Sequence, residues 1–349
     1  MLRRLLPALI VVSPLASAAP AFIGLDAPGS QLSALSRDGS VAVGSITGAA
    51  SGGFRWQAGH VTLLREAVSA RAISASGRYL AGSSLDLAQR EVATWWDADG
   101  NPHRMPSLPG ASGGVLGMAT GITDEPRVVG MTLTADNRSA AFSWQPPHPA
   151  NLLPVEAGAS ARASGIDADG ACVYGWIEHA GAPRRAAIWD GATSAHPPTI
   201  GAPGEALGAS RDCEVLVGFQ RDDNGSSGGW RWSAGRGVAA LIGDDTHGAQ
   251  INASDDAGTV LAGSLGNGNR RVAAIWSAAT GLLPLDSFLQ QRAVALPTDW
   301  TLVAATAVSG DGRRIGGWGQ HAGHFDSFIV ELPAMGGSTP DVPQGEPER

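Results

Sequence analysis

Short apolar runs alternate with polar turns along almost the whole chain, and the alternation itself repeats. Each unit has a turn such as Ser-x-Asp-Gly, a β-branched run that ends in glycine, a polar loop, and a run of small and apolar residues that ends in an aromatic residue. Apolar runs of this length between turn signals are typical of β-strands. The pattern therefore predicts short strands joined by tight turns.

Seven copies of this unit can be traced by three landmarks. The turns lie at residues 36–39, 74–77, 123–126, 167–170, 210–213, 254–258 and 309–312. The glycines that end the second run are Gly44, Gly82, Gly130, Gly175, Gly218, Gly263 and Gly317. The closing aromatic residues are Trp56, Trp95, Trp144, Trp189, Trp232, Trp276 and Phe328, with spacings of 39, 49, 45, 43, 44 and 52 residues. A period of about 44 residues is typical of a propeller blade.

The second copy contains four extended runs, the strand count of one blade. They span residues 70–75, 78–83, 92–96 and 103–108. We therefore predict an all-β fold, a seven-bladed β-propeller with four-stranded blades. A parallel β-helix would need shorter rungs, and two stacked sandwiches would not need one sevenfold period. Because the seventh copy stops at its third strand, the segment 22–25 is predicted to complete the last blade and close the open edge.

The two ends differ in composition from the repeats. Arg3 and Arg4 precede an apolar stretch and then Ala16-Ser17-Ala18, the order of a secretory signal peptide over residues 1–18. We expect a secreted protein, periplasmic or extracellular. The apolar stretch is too short to span a bilayer, so no membrane insertion is expected. Residues 19–334 are predicted to form the propeller, and the proline-rich residues 335–349 a disordered tail.

Composition and charge narrow the partners. The chain has 48 glycines, which suit tight turns, and 11 tryptophans, which can supply a core. Its net charge of -8 without a long basic run argues against nucleic acid as a partner. We expect a monomer that binds a glycan or an envelope protein.

The last copy carries a recognisable series of short motifs. It contains Trp300-Thr301-Leu302, the segment 307–312 and Gly316-Gly317-Trp318-Gly319, followed by Phe328. This series resembles the C-terminal repeat of the HAF family of bacterial extracellular repeat proteins, and the similarity extends over almost the whole mature chain. No copy has an intact His-Ala-Phe triplet; the nearest is Ala141-Phe142. The resemblance implies a secreted, propeller-like protein and offers no catalytic residues.

Arginine recurs at the ends of four loops between second and third strands. These are Arg90, Arg138, Arg185 beside Arg184, and Arg271 beside Arg270. In a propeller such loops gather on one face, where guanidinium groups could bind carboxylates or sulfates in bidentate fashion. This suggests an acidic glycan as the ligand. The alternative is that each arginine packs its stem over the tryptophan of its blade.

Two of these loops share a further pattern, with Trp176 and His179 in the fourth copy and Trp318 and His321 in the seventh. The tryptophans could stack on sugar rings or cap their blades. The histidines could be metal ligands or a general base. Copies four and seven lie across the ring, however, so a shared metal site is not expected. We expect no metal and no other cofactor.

Cys172 and Cys213 are the two cysteines of the chain. An even pair in an exported protein suggests a disulfide. The repeat places one in a strand and the other in the turn of the neighbouring blade, so the sequence leaves open whether they are bridged.

No complete set of catalytic residues occurs in the sequence. The hypothesis is therefore a secreted, non-enzymatic binding module for an acidic glycan or an envelope protein. The alternative is a hydrolase or lyase acting on polysaccharide, with Glu178, His179, Arg185, His321 and Asp222 as the residues to suspect.

Overall fold

A computed structural model describes residues 21–106, 117–190, 199–221, 227–236, 239–242, 248–266 and 268–333. These residues form seven four-stranded sheets arranged in a ring, which confirms the predicted seven-bladed β-propeller. The predicted signal peptide, the predicted tail and Asp222 lie outside the described residues. Within the described part of the chain, no helix has the length and hydropathy needed to cross a bilayer.

Blades 1 to 6 follow the chain, and each sheet adds its strands in sequence order from the axis outwards. Blade 1 contains β2 (Ser30–Leu35), β3 (Val41–Ile46), β4 (Gly52–Gln57) and β5 (His60–Leu63). Blade 2 contains β6 (Ala67–Ile73), β7 (Leu80–Leu85), β8 (Glu91–Trp96) and β9 (Pro102–Arg104). Blade 3 contains β10 (Gly117–Ile122), β11 (Val128–Leu133), β12 (Ser139–Trp144) and β13 (Asn151–Leu152).

The second half of the ring repeats this order. Blade 4 contains β14 (Ser160–Ile166), β15 (Val173–Glu178), β16 (Arg185–Trp189) and β17 (Thr199–Pro203). Blade 5 contains β18 (Glu205–Ala209), β19 (Val215–Arg221), β20 (Ser227–Ser233) and β21 (Ala239–Ile242). Blade 6 contains β22 (Ala249–Ser254), β23 (Val260–Leu265), β24 (Val272–Ser277) and β25 (Gly281–Pro284), followed by the helix α1 (Leu285–Gln291).

Blade 7 is built from both ends of the described chain. It contains β26 (Trp300–Val308), β27 (Arg314–His321) and β28 (His324–Glu331), and its fourth strand is β1 (Ala21–Gly24). Strand β1 pairs antiparallel with β28, from Ala21 opposite Glu331 to Gly24 opposite Phe328. The expected closure of the ring by an N-terminal strand is therefore present.

One residue at the start of each turn explains why Ser, Thr or Asp recurs there; in blade 6 this residue is Asp255, one position after the start predicted from the sequence. Its side-chain oxygen accepts the backbone N–H of the residue four or five positions later, at 2.8 to 3.3 Å in all seven blades. In blade 1, for example, Ser36 Oγ accepts from Val41 N. Side chains of this type compete well for backbone donors in turns. The turn residue thereby sets where the second strand begins.

The recurrent glycine of each second strand has a steric cause. A Cβ on Gly82 would lie 2.0 Å from the carbonyl oxygen of Ser69, and the six equivalent glycines would meet the neighbouring strand as closely. Each glycine lies opposite a β-bulge in the first strand of its blade, for example between Ala70 and Ala72. The missing side chain lets the bulged backbone approach, and the bulge adds one residue to each strand that lines the axis.

Apolar residues pack mainly between neighbouring blades. Val129 and Ala141 of blade 3, for example, form one cluster with Ala161 and Val173 of blade 4. The longer final spacing of the repeat arises from α1, which buries Leu285, Phe288 and Leu289 beside blades 6 and 7. The pairing register also corrects the last closing aromatic residue. Phe328 lies opposite Gly317 and is therefore the equivalent of Phe54, which lies opposite Gly44. The position that Trp56 occupies in blade 1 is occupied by Val330 in blade 7.

Candidate functional site

Seven residues, one from each blade, line the central channel at the same height. They are the extra residues of the seven bulges and are called here the bulge ring: Ser33, Arg71, Thr120, Ser164, Leu207, Asn252 and Thr306. They surround a cavity of about 230 Å³ on the axis, called here the cup. Each lies three residues before the first residue of its hydrogen-bonded turn.

Three members of the bulge ring tie neighbouring blades together. Thr120 Oγ1 donates to the carbonyl of Ala163 at 2.7 Å, and Thr306 Oγ1 donates to that of Leu32 at 2.7 Å. Asn252 Nδ2 donates to the carbonyl of Ala305 at 2.9 Å. In each case the acceptor is the residue before the bulge of the next blade. These polar side chains are therefore used in holding the ring.

Arg71 and Arg162 differ from the rest of the channel wall. Neither forms a hydrogen bond or ion pair with another described residue, and Arg162 Nε is buried without a partner. Desolvation by the surrounding ring lowers the pKa of Arg71, and the positive charge of Arg162 lowers it further. Desolvation also lowers the pKa of Arg162. The negative charges of Glu91 and Glu205 partly oppose these effects on the pKa of Arg71 and of Arg162 respectively, but neither carboxylate is hydrogen-bonded to its arginine.

Arg162 lies on β14, two residues before Ser164 of the bulge ring. Because first strands run from the face of the second-to-third-strand loops towards the face of the first turns, Arg162 lies nearer the loop face than the bulge ring does. Glu205 of blade 5 begins the next first strand, but its carboxylate is bound by Arg184 rather than by Arg162. Ser164 Oγ is buried and also has no hydrogen-bond partner among the described residues.

A second ring of residues lies between the cup and a second cavity of about 190 Å³ near the turns. One residue of each first strand lines both cavities, and these seven residues are called here the collar: Leu35, Ile73, Ile122, Ile166, Ala209, Ser254 and Val308. Six of the seven are apolar. The cup therefore has polar walls and an apolar floor.

Tyr174 reaches the channel from the second strand of blade 4. A Cβ on Gly165 would lie 2.2 Å from its hydroxyl oxygen, so that glycine is required for this orientation. Burial raises the pKa of Tyr174 to about 12, and the charge of Asp167 contributes. The phenol is thus protonated at neutral pH and can donate a hydrogen bond into the channel.

The arginines predicted from the sequence lie on loops and are mostly neutralised there. Arg90 forms an ion pair with Asp86 at 2.7 Å. Arg138 forms one with Asp136 at 2.5 Å and also donates to the carbonyl of Ala159 at 3.0 Å. These bonds hold each loop in shape. They reduce the charge that the loop face offers to an acidic ligand.

The fourth-blade loop is closed by Arg184. Its guanidinium lies over the ring of Trp176 at 4.1 Å and binds Glu178 at 3.0 Å. Trp176 is only 4% exposed, which favours the alternative that it packs within its blade over stacking on a sugar. His179 lies 3.3 Å from Glu156. Glu178 and His179 therefore have different partners, Arg184 and Glu156 respectively.

The remaining predicted residues are scattered. Arg185 is exposed at the start of β16, whereas Arg271 Nε is buried without a hydrogen-bond partner in the described structure. Trp318 is half-buried and packs edge-on against the exposed Phe325 at 5.3 Å. His321 lies between Asp299 and Asp326 in blade 7. The predicted residues do not form one site.

Sequence reasoning missed the bulge ring because its members share neither charge nor size. The signal that could have found it is positional: the residue three before each turn is polar in six of seven copies and is arginine in one. Only knowledge of the bulges tells that this residue faces the axis.

Cys172 and Cys213 are joined by a disulfide that links blades 4 and 5, with their Cα atoms 6.4 Å apart. Cys213 occupies the turn position that is glycine in five other blades, with φ of 56°. In blade 6 the corresponding Gly258 contacts Val215 of the preceding blade, and Cys172 is the equivalent of Val215. The disulfide thus replaces a contact that recurs around the ring.

Comparisons with known proteins show the fold alone. The chain resembles the β-propeller domain of the trilobed protease from Pyrococcus furiosus, with TM-score 0.53, 10% identity, and coverage of 86% of this chain and 95% of that one. It also resembles a puromycin-hydrolysing peptidase from Mycobacterium tuberculosis, with TM-score 0.53 and 15% identity; the match covers 86% of this chain and about half (52%) of the peptidase.

A chain of the mitotic checkpoint complex is similar too, with TM-score 0.52, 16% identity, and coverage of 93% of this chain and 98% of that chain. No family model matches the sequence, and no curated protein matches it. The resemblance to HAF repeats therefore stays a prediction.

Proposed function

We propose that this protein is an exported, non-enzymatic binding module that holds the carboxylate of an acidic sugar in the cup. The observation that carries the proposal is the pair of Arg71, which lines the cup, and Arg162, which lies two residues before the cup residue Ser164; neither forms a hydrogen bond or ion pair with a described carboxylate. Arg162 is half-buried and its charge is unfavourable there without a counter-ion, so a bound anion would lower that cost, whereas Arg71 is exposed to the channel and free to reach a ligand. Export rests on the N-terminal sequence pattern.

The other groups of the cup suit a sugar. Ser33 and Ser164 bring hydroxyls, and Tyr174 brings a protonated phenol. The apolar collar would contact the less polar face of a ring. A volume of about 230 Å³ suits one sugar unit better than a length of polymer. The ligand is therefore pictured as one uronic acid unit at the end of an acidic glycan.

The alternative from the sequence, a polysaccharide hydrolase or lyase, has less support. Among the described residues that line the cup there is neither a carboxylate nor a histidine, and Glu205, the carboxylate at the level of Arg162, is bound by Arg184. Tyr174 holds its proton at neutral pH and is unsuited to act as a general base. These features favour binding over catalysis.

Isothermal titration of the mature protein with glucuronate, and with glucose as the neutral control, tests the proposal. We expect glucuronate alone to bind, and more weakly as salt is raised. Arg71→Gln and Arg162→Gln should each weaken binding about ten- to a hundredfold, since one charge-assisted hydrogen bond contributes about 1.5 to 3 kcal/mol. Arg138→Gln, whose guanidinium is bound on its own loop, is the matched control.

If Arg138→Gln weakened glucuronate binding as much as Arg71→Gln and Arg162→Gln do, the binding site would lie on the loop face instead of the axis. Equal affinity for glucose would show that the arginines are structural. If the protein cleaved an acidic oligosaccharide, the proposal of a non-enzymatic binding module would be wrong and the alternative, a hydrolase or lyase, would be supported.

A further inference from the structure

Two histidines face each other across the hairpin that joins β27 and β28. Strand β27 ends at His321 and β28 begins at His324. The two turn residues, Ala322 and Gly323, have φ of 48° and 84°, the left-handed conformation that tight hairpins use. The register pairs His321 with His324, and their ring centroids are 5.7 Å apart.

Asp326 completes a group of three possible ligands. It lies two residues after His324 on β28, so both side chains are on the same face of the sheet. Its side chain is fully buried. One nitrogen of each histidine and one oxygen of Asp326 lie within 4.8 Å of one another.

The carboxylate of Asp326 is held by three donors on one oxygen. Its Oδ1 accepts from Ala27 N at 3.1 Å, Ser30 Oγ at 3.2 Å and Ser327 N at 2.7 Å. The other oxygen, Oδ2, lies 3.4 Å from His321 Nδ1, which is long for a hydrogen bond. Asp326 therefore presents one fixed, largely unused oxygen to the histidines.

His321 is oriented just as firmly. Its Nε2 lies 3.0 Å from Asp299 Oδ2, and its ring stacks on Trp300 with a centroid distance of 4.6 Å and an angle of 11°. A hydrogen on Nε2 that is donated to Asp299 leaves the lone pair of Nδ1 facing Asp326. A carboxylate that fixes a histidine tautomer in this way is a common outer partner of metal-binding histidines.

We propose that His321, His324 and Asp326 form a binding site for a divalent transition metal ion such as Zn²⁺. Two imidazoles and one carboxylate are donors that suit Zn²⁺, Co²⁺ and Ni²⁺, whereas Mg²⁺ and Ca²⁺ prefer oxygen ligands. Three protein ligands leave a coordination position for a further group. In the tautomer that donates Nε2–H to Asp299, the cation would lie between the Nδ1 lone pair of His321 and Asp326 Oδ2.

A metal ion at this site would also affect the stability of the ring, because Asp326 lies where blade 7 meets blade 1. Through Ala27 and Ser30, Asp326 already connects blade 7 to the segment that leads from β1 into blade 1. A metal ion held by the same carboxylate would stabilise the closed ring. Metal binding and thermal stability should therefore change together.

Tag-free protein that has been stripped with a chelator tests the site by titration with Zn²⁺, Mg²⁺ and Co²⁺. We expect one equivalent of Zn²⁺ to bind and to raise the melting temperature by several degrees, with no rise for Mg²⁺. Co²⁺ should give visible absorption bands of a low-coordinate nitrogen and oxygen site. His324→Ala should weaken Zn²⁺ binding at least tenfold while leaving the melting temperature of the metal-free protein close to that of the parent.

His179→Ala is the matched control, because His179 occupies the corresponding loop of blade 4 and is paired with Glu156. It should bind Zn²⁺ like the parent. The proposal fails if the parent shows no Zn²⁺-dependent shift, if Mg²⁺ gives an equal shift, or if His324→Ala binds Zn²⁺ as the parent does. In those cases the group is a hydrogen-bonded structural cluster.

Discussion

At the scale of single residues, each blade has one position whose residue type is fixed by packing and one whose residue type varies. The fixed position is the glycine of the second strand, and the variable one is the bulge residue of the first strand. The glycine of the second strand is fixed because a Cβ would collide with a carbonyl of the first strand. The bulge residue beside it points to the axis and meets no such collision, so its side chain ranges from Leu207 to Arg71, and in three blades it also donates a hydrogen bond to the next blade. The sequence showed the glycine plainly for this reason. The bulge residues share no single residue type, and polarity in six of the seven copies was their only common feature.

Asp97 carries a residue-scale prediction about pH. Partial burial would raise its pKa, but hydrogen bonds from His103, Asn101 and the N–H of Asp99 outweigh that effect and lower the pKa from 3.8 to about 2. A carboxyl whose pKa is lower in the folded state stabilises the fold above its unfolded pKa, and this contribution disappears as the pH falls from about 4 to about 2.

We expect Asp97→Asn to lower the free energy of unfolding by about 1 kcal/mol at pH 6, after allowing for partial solvent exposure. The difference from the parent should shrink steadily below pH 4. Urea unfolding across this range measures it, with the exposed neighbour Asp99→Asn as the control. A difference that stayed constant down to pH 2.5 would mean that the charge of Asp97 is not the cause.

At the scale of elements, neighbouring blades are joined through their first turns. Four backbone hydrogen bonds of 2.7 to 3.1 Å connect the first turns of five successive blades. In each bond the N–H of one turn donates to a carbonyl of the next turn, in the order Arg211, Asp256, Gly310, Arg37 and Ala75. The contact of the turn glycine with the preceding blade repeats beside them, as Gly258 does with Val215. The sequence left the disulfide open because spacing within one blade does not reveal which residues of two adjacent blades meet.

The disulfide provides the element-scale prediction. The double variant Cys172→Val with Cys213→Gly introduces the pair of residue types that Val215 and Gly258 form between blades 5 and 6, so it removes the covalent link and the positive φ of a non-glycine residue. Closing a loop across 41 residues stabilises by about 4 kcal/mol in the entropic model, and relief of the positive φ returns about 1 kcal/mol. We expect a net loss near 3 kcal/mol, measured by denaturant unfolding.

Cys172→Val with Cys213→Ala serves as the comparison, because alanine keeps a Cβ at a φ of 56°. It should be less stable than the glycine variant by about 1 kcal/mol. Parent protein that unfolds identically with and without reductant would show that the link does not stabilise the fold.

At the scale of the whole molecule, the ring depends on a contact between segments about 300 residues apart. Phe22 of β1 packs against Trp300 at 5.0 Å and Phe328 at 5.8 Å. This closure was predictable, because a seventh unit with only three strands needs a fourth from elsewhere. The short helix α1 was not predicted, since its seven residues lie in an interval whose only signal was its extra length.

Phe22→Ala should lower the free energy of unfolding by about 2 kcal/mol, since a half-buried aromatic side chain loses part of the contacts of a core one. Removal of residues 1–24 should have a larger effect, because it exposes the edge of β28 to pairing with other chains. Light scattering after size exclusion should then detect dimers or larger species. Removal of residues 1–20 alone, which leaves β1 in place, should give the same oligomeric state as the parent.

The pairing of Ala21 with Glu331 places the two ends of the propeller side by side, about one strand spacing apart. The ends could therefore be joined by a few residues and the chain reopened elsewhere, for instance between β4 and β5. The new first strand would then complete blade 1 in the way that β1 completes blade 7. The blade that the two termini share is thus set by where the chain is opened. The order of the blades around the ring, and the packing between them, would stay the same.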